Sequence, residues 1–452
     1  MSAKAKIDVV SPLTREELQA LVAEWEFGTI ENHRKLYGGF SGSNYFVENA
    51  AGRRAVLKLM HGYPVTEVQS VADLQAYLAT VGFTAACSSI ARPAAIMAEK
   101  GGSRHVSITV PDSPMMLLTF VEGKPADAVL READHGVGTD MLRGVGRALA
   151  QLHSLPIPTG VTALREAEVD GGCCLVKDHI DGTYLTKVRS VTGHAYVAMY
   201  EAALVELRSA MATEGLPRGI CHGDPFLDNV LCDAATGEMR GFVDFEDGAI
   251  GPLLFDVACL CVAASFVATG VRGETWQRLD TNRLRFILEG YCAVRPFVPA
   301  EAALFSTFMR VALLCNATWR FVNFNVDHPE ITAQKNAHAE LAERIVALQS
   351  GVAQRAVQAC VDGAQPVNVA FLFIKPHAVT DEAEVLLRAR CDRDGVEIID
   401  CGALSAGEMD QRGVVDRHYG QLARRAMTIS PGQLPVLSDK VRAAFSETFG
   451  LR

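Results

Sequence analysis

At Gly123 the apolar period of the chain changes from that of strands to that of helices. Before it, "HRKLYGGFSGSNYFVENAAGRRAVLKLM" alternates and turns like a β-meander, broken at Gly38–Gly42 and again at Asn49–Gly52. Residues 66 to 82 read as a helix with Val68, Val71, Leu74 and Leu78 on one face, and a further strand, "MMLLTFVEG", ends at Gly123. After it, "DMLRGVGRALAQLHSL" and "AYVAMYEAALVELRSAMA" are amphipathic helices, and helices dominate again from Trp276 to Ala347. The clear strands of this half are "DNVLCD" and "GFVDFED", separated by a Gly-containing turn. The fold class is therefore α+β and bilobal: a β-rich N-lobe over residues 1–122, then a helical C-lobe over 123–350 that carries one hairpin.

A chain of 452 residues is too long for one core. A linker is expected over 351–366, where a helix ends with Gly351 and the Gly363/Pro366 pair reads as a break. Beyond it, residues 367–452 alternate strand ("VNVAFLFIKP"), helix ("DEAEVLLRARCDRDG"), strand ("VEIIDCGAL") and helix (410–427). This is a small βαβα, ferredoxin-like fragment.

Formal net charge is -10, with no Lys/Arg cluster, so a nucleic-acid partner is disfavoured. The N-terminal stretch shows no apolar signal segment, and the longest apolar run, Val257 to Ala268, is too short to span a bilayer and reads as a buried helix. The 12 Cys include no CxxC pair and read as reduced core thiols of a cytoplasmic protein.

The hairpin carries the chemistry. In "ICHGDPFLDNVLCD", Asp224 and Asn229 stand in a loop that runs into a strand, and Asp244 ends the next apolar strand. A carboxylate there is costly unless it faces a metal. Phosphoryl transfer to an alcohol needs Mg²⁺ held against phosphates and a carboxylate aligned with the attacking hydroxyl. Mg²⁺ takes hard oxygen ligands, only one or two of them carboxylates. Asp224, Asn229 and Asp244 meet that demand. Asp and Asn at this spacing also stabilise turns, but the strand, turn, second strand and Asp256 before an apolar helix favour the metal reading.

"HGDPFLDN" followed by "VDFED" resembles the aminoglycoside phosphotransferase/choline kinase superfamily. Within it, "GGFSGSNYFV", "GYCAVRPF" and "RVALLCNATWR" look most like its homoserine kinases, over about residues 10 to 350. The resemblance implies ATP and Mg²⁺. It gives Asp224 the general-base or orienting role, Asn229 and Asp244 the Mg²⁺ contacts, and His222 and Asp256 the bracing of the loop. His153 reads as a packing residue. In the N-lobe the turn of Gly38, Gly39, Gly42, Ser43 and Asn44 would cover phosphates. Lys58 would bind the α/β-phosphates and pair with a helix acid, Glu67 first and Asp73 as the alternative. The strand Leu117–Glu122, with Leu118 and Phe120, would be the hinge that meets adenine.

A carboxylate-bearing acceptor calls for an Arg, and Arg310 and Arg320 lie on the matching helix; each could equally face solvent. The chain departs from the homoserine kinase pattern at Cys315–Asn316–Ala317, where Arg-Phe-Trp is common. Homoserine is the first acceptor expected, with hydroxylysine, another amino alcohol or an aminoglycoside as alternatives. A pseudokinase scaffold with the tail as binding module is the other class.

The tail resembles the front part of a nucleoside diphosphate kinase, with Lys375 matching its phosphate-contacting Lys and His418–Tyr419 a recurring pair. Neither His377 nor His418 stands in the His-Gly-Ser-Asp setting of the family's phosphorylated His, so a non-catalytic role is expected, with the fragment's free edge favouring a homo-oligomer.

Overall fold

The computed structural model describes residues 12–36, 43–60, 63–81, 83, 107–110, 113–132, 135–157, 165–166, 183–211, 215–269 and 276–365; beyond these it describes 372, 374, 378–393, 398, 401–403, 405, 407 and 408. The chain divides into two compact units, Met1–Val367 and Asn368–Arg452.

The first unit opens with α1 (Arg15–Val22), started by a capping box in which Thr14 Oγ1 accepts from Glu17 N at 3.2 Å and the Glu17 carboxylate accepts from Thr14 N at 2.8 Å. Next come β1 (Ile30–Leu36), β2 (Ser43–Asn49), β3 (Arg54–Leu59), α2 (Val65–Thr80), β4 (Ser107–Val110) and β5 (Ser113–Thr119). The strands form one antiparallel sheet in the order β1-β2-β3-β5-β4. Side chains alternate between the faces of a strand. Tyr45, Val47, Ala55, Leu57, Leu59, Met115 and Leu117 therefore bury one face against Leu18, Leu21 and Val22 of α1. The other face carries Asn44 opposite Lys58, Phe46 opposite Val56, and Val56 opposite Leu118. The β-meander is legible in the sequence: β1, β2 and β3 pair antiparallel in chain order.

The helical half follows: β6 (Lys124–Pro125), α3 (Ala126–Glu132), α4 (His135–His153), β7 (Arg165–Glu166), α5 (Thr183–Ser190) and α6 (Ala195–Met211). Then come β8 (Arg218–Cys221), β9 (Val230–Cys232), β10 (Met239–Phe242), β11 (Ala249–Pro252), α7 (Leu253–Ala264), β12 (Phe266–Thr269) and β13 (Trp276–Leu279). The first unit closes with α8 (Thr281–Cys292), α9 (Pro299–Val322), α10 (Ala339–Gln349) and α11 (Gly351–Ala364). Helices α4 and α8 touch backbone to backbone: a Cβ on Gly146 would come within 2.1 Å of Ile287 O, and one on Gly290 within 2.0 Å of Arg143 O. Helix α9 begins with Pro at its first position, and Glu301 accepts from Val298 N at 3.0 Å. Its extension to Asp327 is long and apolar enough to cross a membrane, but Phe305, Phe308, Val311, Leu314 and Phe321 are buried in the core against α7 and its neighbours.

Two segments differ from the sequence expectation. The apolar run Val257–Ala268 is helical only to Ala264; Ser265 ends the helix, and Phe266–Thr269 pairs antiparallel with Trp276–Leu279, a stretch expected to be helical. Aromatic and β-branched residues suit a short hairpin better than a helix end. The stretch expected as a linker, 351–366, is helical over Gly351–Ala364, capped by Ser350 Oγ, which accepts from Ala353 N at 3.1 Å. Val357, Cys360, Val361 and Ala364 are buried in the same core. A chain cut before Cys360 should therefore melt well below the full chain, whereas one cut after Val367 should keep its melting temperature within a few degrees. Loss of several buried side chains costs on the order of 1–3 kcal/mol each. Equal melting of the two truncations would show that α11 adds nothing to the core.

In the second unit α12 (Asp381–Arg393) is helical, as its pattern predicts. The expected tail strands lie almost wholly outside the described residues, as do Lys375, His377, His418 and Tyr419 and the helix expected at 410–427.

Candidate active site

Residues 222–229 leave β8 and enter β9 through a single 3-10 turn, Leu227–Asn229. Asp256, fully buried near the start of α7, braces this loop. Its carboxylate accepts from His222 N at 2.7 Å and from Gly223 N at 2.9 Å. It also accepts from His153 Nε2 at 2.9 Å, which leaves His153 Nδ1 to accept from Tyr291 Oη at 2.7 Å. Burial pushes the Asp256 carboxyl up, but His153 and His222 outweigh it and hold the group below its usual range. Sequence reading placed His222 and Asp256 as braces; His153 belongs with them through hydrogen bonds as well as packing.

His222 stays neutral. Burial lowers its basicity; Nε2–H donates to Val243 O at 2.9 Å, and Nδ1 accepts from Asp224 N at 3.3 Å. Gly223 sits at φ +88, and a Cβ there would lie 2.1 Å from Asp247 O. The catalytic loop and the turn after β10 are thus pressed together at a point only Gly fits.

That contact gathers the charges. Asn229 Nδ2 donates to Asp224 O at 2.9 Å and to Asp224 Oδ2 at 3.1 Å. Its own carbonyl oxygen is left as an acceptor. Asp224 is half-buried and its carboxyl lies well above the usual carboxylate range: burial strips its solvent, and Asp247, Asp228 and Asp244 add negative charge. The Arg320 guanidinium pulls it the other way. Such a group of carboxylates is costly without a cation among them.

Asp244 has a left-handed backbone, φ 65 and ψ 61, which is uncommon for a residue other than Gly. This conformation turns its carboxylate from the end of β10 toward the N-lobe, where Oδ1 accepts from Lys58 Nζ at 2.5 Å. Glu246, two residues on, pairs with the same ammonium. Lys58 is 2% exposed, Glu246 7% and Asp244 34%, so Lys58 and Glu246 are shielded from water while Asp244 remains partly exposed.

The donor set fits a divalent cation. The Asn229 carbonyl oxygen and the Asp244 carboxylate are hard oxygen donors, and the hydrogen bond from Val243 N to Asn229 O at 2.9 Å ties their segments together. On the sheet face that carries Lys58, Asn44 Oδ1 is buried and has no partner among the described residues, on the residue directly opposite Lys58. Ser43 is buried beside it, while Gly38, Gly39 and Gly42 lie outside the described residues. Leu118 is half-buried and paired with Val56, and the Phe120 ring meets Phe46 edge-on at 4.8 Å. Arg34 lies 4.3 Å over Phe46 and Arg54 5.4 Å over Phe120, beside a cavity of about 630 Å³ that both rings line.

Of the two candidate arginines, one is already engaged. Arg310 is buried and forks onto Glu206 of α6 at 2.5 and 2.6 Å. That bidentate pair braces α9 against α6 and leaves no free fork for a substrate carboxylate, which corrects the expectation for Arg310. Arg320 is half-buried, donates to Ala337 O at 3.3 Å, and acts electrostatically on Asp224 and Asp228. One turn on, Asn323 is buried with no partner for Nδ2 among the described residues, at the start of a π-helical turn, Asn323–Asp327.

Glu67 lies half-buried in the first turn of α2, and Asp73 accepts from Gln69 Nε2 at 3.0 Å. The partners the structure gives Lys58 are instead Asp244 and Glu246 of the C-lobe. Sequence reading had no role for Glu246; the Asp-Phe-Glu run was its only signal.

The pattern of the phosphotransferase enzyme family matches residues 33–297, more than half of the chain. The chain belongs to this family. In sequence it is similar to the homoserine kinase of Methylobacillus flagellatus, 26% identical over 317 residues that cover 68% of this chain and 85% of that one. In fold it is similar to a choline/ethanolamine kinase family protein from Mesorhizobium loti, with a TM-score of 0.50 and 21% identity over 77% of this chain and 97% of that one. It is also similar to a microcompartment-associated aminopropanol kinase, with a TM-score of 0.54 and 17% identity over 75% and 98% of the two chains. The β-rich and helical lobes are those of the protein-kinase-like fold, and the chain is a small-molecule kinase that acts on a hydroxyl group.

Proposed function

We propose that this kinase moves a phosphoryl group from Mg·ATP to the hydroxyl of a hydroxy amino acid, homoserine first. The feature that supports the acceptor class is Arg320, a half-buried guanidinium of α9 that donates to Ala337 O and whose charge acts on both Asp224 and Asp228. A guanidinium whose charge reaches the catalytic carboxylate suits an acceptor with a carboxylate of its own. The name borne by the relative from Methylobacillus flagellatus agrees.

In this reading Asp224 accepts the hydroxyl proton as the oxygen meets the phosphorus, and the Asn229 amide holds the carboxylate in line. Mg²⁺, when bound through Asn229 and Asp244, would neutralise charge on the phosphates and among the carboxylates. Lys58 contacts the α/β-phosphates, with Ser43 and Asn44 at the start of β2 facing them and Glu67 at the near end of α2. Leu118 and Phe120 form the wall at the base.

The test is a panel of acceptors with Mg·ATP, following ADP release. Homoserine or hydroxylysine should give the highest kcat/KM. Replacing Arg320 by Met should raise the KM of that acceptor roughly ten- to a hundredfold and leave the KM of ATP within about threefold, as expected for loss of a charge-assisted pair. A preference for choline or ethanolamine, which have no carboxylate, would sink the acceptor class. Equal changes in both KM values would remove Arg320 from the pocket.

A further inference from the structure

Lys58 raises a question that the assigned site does not answer. A buried ammonium is stable only with fixed counter-charge, and losing one partner of a buried pair is strongly unfavourable. Of the two carboxylates that meet it among the described residues, Asp244 is also the residue that suits the divalent cation. When Asp244 turns to a cation, its hold on Lys58 weakens. Glu246 then has to keep the ammonium in place.

The fold fixes Glu246 for that task. It lies in the 3-10 turn Phe245–Asp247, with the Phe245 ring tilted against that of His222 at 4.4 Å and Phe245 itself fully buried. Gly248, just after the turn, is pressed against α2, where a Cβ would come within 2.7 Å of Leu74 Cδ2. The turn is thus wedged between the catalytic loop and the N-lobe helix. Its Glu is shielded from water and aimed at the ammonium of β3.

We propose that Glu246 is a positioning residue for Lys58, holding the phosphate-binding ammonium from the C-lobe whether or not Asp244 is engaged. The geometry assigns to a C-lobe carboxylate the task expected of Glu67 on α2. Because the pair joins β3 to the turn after β10, Lys58 is aligned for phosphate only while the two lobes are closed on each other. The proposal rests on the reading of Lys58 as a phosphate ligand.

The experiment is calorimetric titration of the full chain with ADP, once with Mg²⁺ and once in EDTA, for Glu246→Gln, Glu246→Asp, Lys58→Met and the double variant. Glu246→Gln should weaken ADP binding by roughly tenfold or more under both conditions, the loss typical of a hydrogen bond to a charged group. Glu246→Asp should recover part of it. In the Lys58→Met background, Glu246→Gln should cost nothing further, because its effect runs through the ammonium. A defect confined to the Mg²⁺ titration and relieved by excess Mg²⁺ would make Glu246 a cation ligand and overturn the proposal. So would additive losses in the double variant. If Lys58→Met alone leaves ADP binding unchanged, the phosphate role of Lys58 fails first, and that result is separate from any effect of Glu246. Should Glu246→Gln fold poorly, the Glu246→Asp pair of titrations decides by the same comparison.

Discussion

Replacing Asp224 by Asn should lower turnover at least about a hundredfold while nucleotide affinity stays near normal, the loss expected of a positioned general base. The same change should raise the melting temperature of the nucleotide-free protein at neutral pH. The sign follows from the raised carboxyl. Its folded pKa lies well above the usual value, with burial first and the charges of Asp247, Asp228 and Asp244 after it. Between the unfolded value, about 4, and the folded one, the folded chain binds more protons than the unfolded chain. Stability is therefore lost as pH rises through that window, and the loss is complete above the folded pKa. Asn carries no charge and escapes it. The gain in melting temperature should shrink to nothing as pH falls below about 4, where Asp224 is neutral in both states. Thermal melts of both proteins across this pH range, beside turnover at saturating acceptor, check both halves. Unchanged turnover would remove Asp224 from the base role, and a lower melting temperature at neutral pH would show the carboxylate to be stabilising.

Local chemistry was legible in the sequence wherever a function depends on close spacing. Asp224 and Asn229 lie five residues apart and meet within one turn. Asp256 could be placed as a brace through the resemblance to the aminoglycoside phosphotransferase/choline kinase superfamily, and its bonds to His222 N and Gly223 N bear that role out. The β-meander could be read because each strand pairs with its neighbour in the chain. What escaped was set by packing between distant segments. Lys58 and Asp244 are 186 residues apart, and no local pattern says whether a strand Lys meets an acid of α2 or of the C-lobe turn. Arg310 and Arg320 share α9, but ten residues are about 2.8 turns, so the two face different neighbours. Their identical chemistry hides that Glu206 claims one of them.

The helix over 351–364 was missed for another reason. Gly351 reads as a helix end and Gly363, with Pro366, as a break, yet one stands at the first residue of α11 and the other beside its last. Helix ends tolerate Gly. The apolar set Val357, Cys360, Val361 and Ala364 follows helical spacing, and it carried the better signal.

Asp244→Ala should have the largest effect on metal-dependent nucleotide binding. Three losses coincide at this position. The oxygen donor that suits the cation disappears. Lys58 is left with Glu246 alone. A left-handed backbone at φ 65 is imposed on Ala, which lacks the short polar side chain that eases this conformation for Asp and Asn. Asp244→Asn separates these terms, because it keeps an oxygen donor and tolerates the backbone but removes the charge. Mg·ADP affinity should fall at least about a hundredfold for Ala, since a cation on the phosphates is worth several kcal/mol. The fall should be smaller for Asn. ADP binding in EDTA should change far less for either variant, because Lys58 keeps one fixed carboxylate. Calorimetric titrations with and without Mg²⁺ measure all four values. An unchanged Mg·ADP affinity in Asp244→Ala would rule out the metal role. A loss of equal size in EDTA would mean that Asp244 acts on the nucleotide only through Lys58.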